Sequence, residues 1–348
     1  MGKKLKVGVF FGGPSSEREI SLESGRNIYN HLDRTKYEVI PIFMDGENRF
    51  WRVEESLVWM NTTADITLAL PKGGKRIFYD DLPSLLDFAF LGLHGKFVED
   101  GCLQGLLEIL ELPYNGSGVL GSALGMDKFF QRKLLQEKGV NVPKHLGVSL
   151  EDWKNKEKIK KKIVEKFGFP FIVKPSREGC STAVTLVKKE EEIDESFAKA
   201  FVWDNLILVE EYLKGMEVTT TVLGNSSPFA LAPTETPHRG DFLTVEEKFL
   251  PGEGEMITPP RLPKKAILAI QKEAVKAYQA LELKVYARID GIWVGDKLVV
   301  LEPNTLPGLT PSTCVFHQAA EAGMSPAQFL DKIIELSLEA HRGKIGPL

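Results

Sequence analysis

The sequence predicts an α/β protein in which a parallel α/β domain is followed by two smaller mixed lobes, and three observations carry that prediction. Leu5 to Phe11 is an unbroken apolar run that ends at Gly12-Gly13-Pro14 and leads into a segment with helical periodicity. Strand, Gly-rich turn and helix in that order build a parallel sheet whose loops gather at the strand carboxyl ends, where such sheets bind ligands. After about residue 122 the pattern changes to short strands and helices, and between 286 and 305 two apolar runs flank Gly295-Asp296, the signature of a hairpin.

Taken in order, residues 1–122 form the first domain. Its first strand is Leu5 to Phe11, and Ser16 with Glu19 supplies a capping box for a helix over 17–32. Tyr37 to Phe43 and Phe88 to Leu93 are further strands. Residues 123–218 form a central lobe: a helix over Asp127 to Lys138, a short strand near His145, a helix rich in lysine ending before Gly168, and a strand from Phe169 to Lys174. A Gly-containing loop, a strand, a helix and the strand Ile207 to Glu210 complete it. Residues 219–348 form the last lobe, with further strands, a loop over 233–261 interrupted by Gly and Pro, a helix over Lys264 to Leu281, the hairpin, and a helix from Pro326 to about 341.

Composition narrows the function classes. The chain has 348 residues, 43% hydrophobic and 26% charged, which is ordinary globular usage. A net charge of -4 gives no electrostatic footprint for nucleic acid. The lysines at 154, 156, 158, 160, 161, 162 and 166 read as one solvated helix face. The apolar stretch before Gly12 is too short for a signal-peptide core, and no run approaches the roughly 20 residues of a membrane span. A cytoplasmic protein without membrane partners is expected. Cys102, Cys180 and Cys314 are odd in number and lack metal-ligand spacing, so neither a disulfide framework nor a zinc site is indicated.

The hairpin carries the strongest chemical signal. Side chains alternate faces along a strand, so Arg288 and Asp290 share one face, as do Glu302 and Asn304. A three-residue loop centred on Asp296 would set Asp290 across from Glu302 and Arg288 across from Asn304. Two facing carboxylates repel unless a cation lies between them, and oxygen ligands of this kind suit magnesium held together with substrate phosphates. Apolar residues on both faces, among them Ile289, Ile292, Val299 and Leu301, argue for a buried hairpin rather than polar strand ends in water. Lys174, at the end of an apolar strand before Pro-Ser-Arg-Glu-Gly-Cys-Ser-Thr, has two open readings: a surface hairpin, or a lysine and backbone N–H groups turned onto phosphate oxygens. The connector after Glu210, with Leu213 and Glu217, can offer carboxylates and backbone edges to adenine and ribose; charged connectors are also common.

Together these segments resemble the ATP-grasp ligases, and within them the D-alanine–D-alanine ligases. The matching stretches are GGPSSEREISLESG at 12–25, HGKFVEDGCLQG at 94–105, LPYNGSGVLGSALGMDK at 112–128, IVKPSREG at 172–179, ARID at 287–290 and EPNTLPGLTPST at 302–313. The resemblance implies an N-terminal parallel α/β domain followed by a two-lobed ATP-grasp fold. It also implies phosphorylation of one D-alanine carboxylate by ATP and attack by the amine of a second. Carried over by position, Lys128, Lys174 and Lys248 would hold ATP phosphates, and Glu210, Leu213 and Glu217 adenine and ribose. Asp290, Glu302 and Asn304 would bind one or two magnesium ions, with manganese able to stand in. Glu17 would take the ammonium of the first D-alanine with His94 close by, Arg288 and the Gly308 N–H would face the oxyanion, and Thr313 would meet the second carboxylate. The loop over 233–261 would close as a lid, and a homodimer is implied. Residue chemistry keeps rivals open for two of these: Glu17 also suits a helix N-terminus as a dipole partner, and His94 a structural role.

The sequence departs from the family pattern at Cys180, where a serine is usual, at Phe249, where a tyrosine is usual, and at Thr182-Ala183, where valine-glycine is common. The serine and tyrosine hydroxyls normally join the glutamate matching Glu17, so that hydrogen-bonded trio cannot form as usual. Three consequences are considered. The second substrate changes, to D-lactate or another amino acid; Cys180 serves as a reactive thiol or simply as a small buried replacement for serine; or the chain is an ATP-binding regulatory protein without ligase activity.

Overall fold

The computed structural model describes residues 3–179, 182–237, 240 and 255–342. Three sheets follow one another along the chain. In the first, β1 (Leu5–Gly12) lies between β2 (Tyr37–Met44) and β5 (Phe88–Leu91), parallel to both, with Val7 beside Val39 on one side and Phe88 on the other. Burial on both faces explains why β5 is apolar throughout and why β1 and β2 carry no charge beyond Lys6 and Glu38 in their second positions. Two short antiparallel strands, β3 (Phe50–Val53) and β4 (Gly74–Ile77), extend the sheet beyond β2. Neither is predicted by the sequence, because four residues without alternating polarity, Phe-Trp-Arg-Val and Gly-Lys-Arg-Ile, give periodicity nothing to resolve.

Helix α1 (Arg18–His31) packs on β1. A Cβ at Gly25 would lie 2.3 Å from that of Phe11, so only glycine permits this approach, and it brings the start of α1 to the carboxyl end of the strand. The expected capping box at Ser16 and Glu19 does not form: no side chain caps the helix at Glu17, and Glu19 instead accepts from the Thr63 hydroxyl at 2.5 Å. Helices α2 (Glu55–Val58), α3 (Thr63–Gly73), α4 (Leu82–Leu85) and α5 (Cys102–Ile109) follow. A capping box does occur at α3, between Thr62 and Asp65.

Helices α6 (Val119–Met126) and α7 (Lys128–Glu137) lead to the second sheet, with Asp127 capping α7 by accepting from the N–H groups of Phe129 and Phe130. That sheet has the order β6-β9-β7-β8, all antiparallel, from β6 (His145–Ser149), β7 (Phe171–Pro175), β8 (Thr185–Val187) and β9 (Leu206–Glu211). It is backed by α8 (Lys156–Phe167) and α9 (Ile193–Phe201). The lysine-rich helix buries only Ile163, as expected of a solvated face. Trp153 lies flat on Phe197, with centroids 3.8 Å apart and planes at 8°, worth roughly 1 kcal/mol beyond the area buried.

The third sheet runs β11-β10-β13-β14, with β12 also on β10; its strands are β10 (Met216–Leu223), β11 (Phe229–Ala230), β12 (Thr234–Glu235), β13 (Tyr286–Val294) and β14 (Lys297–Asn304). Helix α10 (Lys264–Ala280) covers it, and α11 (Cys314–Glu321) and α12 (Pro326–Arg342) close the described chain. The cores do not respect chain order. Leu135 of α7 joins the core of the third sheet, whereas Phe329 and Ile333 of α12 pack into that of the first. The apolar side of α1 is consumed within the chain by β1 and α12. No helix among the described residues is long and apolar enough to cross a membrane.

Candidate active site

The hairpin sets Asp290 opposite Glu302 and Arg288 opposite Asn304, the pairing expected from sequence, but by a different route. The turn has two residues, Gly295 and Asp296, between the paired Val294 and Lys297, with Gly295 in the left-handed region at φ 63°. That turn alone would place Asp290 opposite Leu301. A bulge between Asp290 and Gly291 shifts the register by one and restores the acid pair. Asp290 is gripped by three groups: Arg288 donates Nε to Oδ1 at 2.8 Å and Nη2 to Oδ2 at 2.7 Å, Thr219 of β10 donates its hydroxyl at 2.6 Å, and Asn304 its amide at 2.9 Å. Glu302 has the Lys128 ammonium 3.1 Å away. The charge between the two acids is therefore balanced here by Arg288 and Lys128.

A cleft opens between the second and third sheets, lined by Lys128, Lys174, Glu210, Leu213, Glu217 and the acid pair. Lys174 is a buried strand-end lysine rather than part of a surface hairpin. Its ammonium lies 2.7 Å from Glu210 Oε2, and burial draws its pKa below the ordinary value against the pull of Glu210. Burial would raise the carboxyl of Glu210, yet Arg132 and then Lys174 hold it below the usual range. The Lys128 ammonium also donates to the Glu178 carbonyl at 2.6 Å, bridging the cleft floor to the loop after β7.

A second, smaller cavity holds Glu17, His94, Glu99, Arg288, Asn304 and Gly308, and shares Gly179 and Glu302 with the cleft as a common wall. Glu17 sits at the N-terminus of α1, and its carboxylate presses on the loop after β7: a Cβ at Gly179 would meet Oε1 at 2.5 Å. Lys96 reaches Glu178 at 3.2 Å, a second tie from the first domain to the same loop. His94 Nδ1 lies 3.0 Å from the Leu306 carbonyl, which only accepts, so Nδ1 carries the proton and Nε2 accepts from the Ser24 hydroxyl at 2.8 Å. Burial lowers its pKa to about 4, so the ring is neutral and ties the β5 end to the loop after β14. Thr313, at the N-terminus of α11, is buried and donates to the Thr310 carbonyl at 2.9 Å.

Cys180, Lys248 and Phe249 lie outside the described residues. Of the altered loop, Ala183 takes φ of 52°, a left-handed conformation that costs an alanine about 1 kcal/mol relative to glycine.

Three site residues were not found from sequence. Arg132 is buried behind Glu210, Thr219 is hydrogen-bonded to Asp290 across β10, and Glu99 accepts from the Gly95 N–H at 2.6 Å. Thr219 could be named only once β10 was known to pair with β13. Glu99 lies in the quoted 94–105 stretch, but nothing local distinguishes it from the neighbouring Asp100. Burial, and then the charge of Glu17, push its carboxyl up to about 8. The folded chain therefore holds this proton more tightly than the unfolded chain. The resulting stability is full below about pH 4.5, the ordinary glutamate value, and fades as pH rises through about 8. The ligand-free protein is expected to lose thermal stability between pH 5.5 and 8, and Glu99→Gln to flatten that fall. An unchanged slope would contradict the assignment.

Comparison with known proteins bears on this geometry. Residues 6–117 match the family described as D-ala D-ala ligase N-terminus, and residues 134–335 match its C-terminus. The D-alanine–D-alanine ligase of Carboxydothermus hydrogenoformans is 36% identical over 97% of this chain and 100% of its own. Among solved structures, the VanG D-Ala:D-Ser ligase from Enterococcus faecalis is 30% identical with a TM-score of 0.86, covering 96% of this chain and 100% of that one. The D-alanine–D-alanine ligase from Bacillus anthracis, complexed with ATP, is 29% identical with a TM-score of 0.75, covering 98% and 100%.

Proposed function

The chain belongs to the D-alanine–D-alanine ligase family, and from that premise we propose how its residues divide the work. It is an ATP-dependent ligase with an ATP-grasp fold that joins two D-alanines for peptidoglycan precursors. ATP would occupy the cleft, its phosphates on Lys128, Lys174 and Lys248, its adenine against Glu210 and the Leu213 backbone, and its ribose at Glu217. The first D-alanine would lie in the smaller cavity with its ammonium on Glu17, beside His94. The shared wall of Gly179 and Glu302 carries this reading, because it lets a carboxylate in one cavity meet the terminal phosphate in the other.

The carboxylate attacks the γ-phosphorus, ADP leaves, and an acyl phosphate forms. The amine of the second D-alanine, its carboxylate directed by Thr313, adds to the acyl carbon and gives up a proton, and the adduct collapses to dipeptide and inorganic phosphate. Arg288 and the Gly308 N–H stabilise the oxyanion, and the lysines balance the charge gathered in the cleft. Asp290, Glu302 and Asn304 suit magnesium, or manganese in its place, because all three offer hard oxygen atoms. Among the described residues no group of three or more acidic, histidine or cysteine side chains is placed to hold a metal ion, so phosphate oxygens would complete the site for one or two ions. Bound there, the ion supplies charge neutralisation between phosphate groups. The 233–261 loop, most of which lies outside the described residues, would serve as the lid of the reaction, and Cys180 as a small replacement for serine. With ATP and D-alanine as substrates, the reaction would run in the cytoplasm. A homodimer would have to use a surface other than the buried face of α1, and sedimentation reads its mass directly.

ADP release measured across D- and L-amino acids and D-hydroxy acids tests the reading. D-Alanine is expected to give the highest rate; no rate with D-alanine would overturn it and favour a non-catalytic ATP-binding protein. Phe249 and Cys180 favour one second reading, a ligase with altered second substrate. With D-alanine and D-lactate offered together, that reading expects ester product at pH 6 giving way to dipeptide at pH 8, as the amine becomes deprotonated. Dipeptide alone at both values would end it.

A further inference from the structure

We propose that Arg132 is a positioning residue of the nucleotide site: it keeps Glu210 in place and charge-compensated so that Lys174 can exchange Glu210 for a phosphate oxygen. The inference rests on the assignment of the cleft to ATP.

Glu210 lies between two cations, one on each oxygen. Arg132 donates Nε to Oε1 at 2.7 Å, and Lys174 Nζ lies 2.7 Å from Oε2. A second guanidinium nitrogen, Nη2, is 2.5 Å from Oε1 without lining up as a hydrogen bond. All three side chains are buried, at 0% exposure for Arg132, 3% for Glu210 and 10% for Lys174. Only Lys174 and Glu210 line the cleft; Arg132 is behind it. Of the two cations, Lys174 alone can reach a ligand.

That asymmetry decides the roles. When Lys174 turns to a phosphate, a buried Glu210 with no other cation would draw it back. Arg132 removes that competition because its partner does not change on binding. Its Nη1 also donates to the Val300 carbonyl of β14 at 2.5 Å, so one guanidinium joins α7, β9 and β14 across the cleft floor. A lysine has the charge but not the planar fork needed to serve both acceptors. Arg132 and Lys174 both hold the carboxyl of Glu210 below its usual range against its burial, and the Coulombic pull of Arg132 is the larger of the two.

A buried arginine can also be structure alone, and a double-variant cycle separates the two roles. Mg-ATP affinity and the KM and kcat for ATP are measured for wild type, R132M, E210Q and R132M/E210Q, with thermal unfolding as the fold check. R132M is expected to weaken Mg-ATP binding by about 30-fold or more, with a smaller loss in kcat. In the double variant no carboxylate remains to hold Lys174, so affinity should return to within about fivefold of E210Q alone. Losses that simply multiply, or an R132M variant with normal affinity, would overturn the proposal. Should R132M fail to fold, R132K against R132K/E210Q reads the same coupling at smaller amplitude, and zero coupling is again fatal to it. A wild type that does not bind Mg-ATP overturns the cleft assignment and this inference with it.

Discussion

Asp290→Asn and Glu302→Gln are each expected to lower turnover by at least about a hundredfold while the chain still folds. Both changes keep shape and remove one negative charge. At Asp290 the consequence is sharp, because one carboxylate organises Arg288, Thr219 and Asn304 at once. An amide in its place turns one of the two acceptor oxygens into an N–H donor, so the Arg288 fork loses one of its two bonds as the proposed metal site loses a charged ligand. Glu302 forms part of the wall between the two cavities and faces the Lys128 ammonium. Its amide variant takes the negative charge from that contact and leaves the lysine neutral oxygen acceptors such as the Glu178 carbonyl. Steady-state ADP release, alongside circular dichroism to confirm folding, reads the effect. Activity kept within a few-fold in either variant would contradict the metal assignment.

Arg288→Lys is expected to cost about a hundredfold or more in kcat/KM for D-alanine, with a much smaller change in KM for ATP. The split follows from position, since Arg288 lines the smaller cavity and not the cleft. Its guanidinium is held by two parallel bonds to Asp290, which fixes the direction of its remaining N–H groups. An ammonium cannot make both bonds and still face an oxyanion. Equal losses in both KM values would instead indicate a general disturbance of β13.

Long apolar runs and glycine turns made the parallel sheet legible from sequence, because a strand buried on both faces has few alternatives. The edge strands Phe50–Val53 and Gly74–Ile77 were not legible: they are short, and pairing rather than hydropathy defines them. The acid pair emerged through a compensation, a shorter turn offset by a bulge that no hydropathy pattern encodes. The Ser16–Glu19 box failed because Glu19 has a tertiary partner in Thr63, 44 residues away. Arg132 and Thr219 escaped for the same reason: each acts on a residue brought near only by folding. Local chemistry announces the residues that face a ligand, whereas those behind them depend on the packing of distant elements.

Transfer of oxygen from D-alanine to phosphate tests the central claim most directly. With the D-alanine carboxylate labelled with oxygen-18, attack on ATP followed by collapse of the acyl phosphate places one labelled oxygen in each inorganic phosphate released. Mass spectrometry should find that label in step with dipeptide. Phosphate released without label while dipeptide accumulates, or dipeptide formed without ADP, would contradict a carboxylate activated across the wall that Glu302 and Gly179 share.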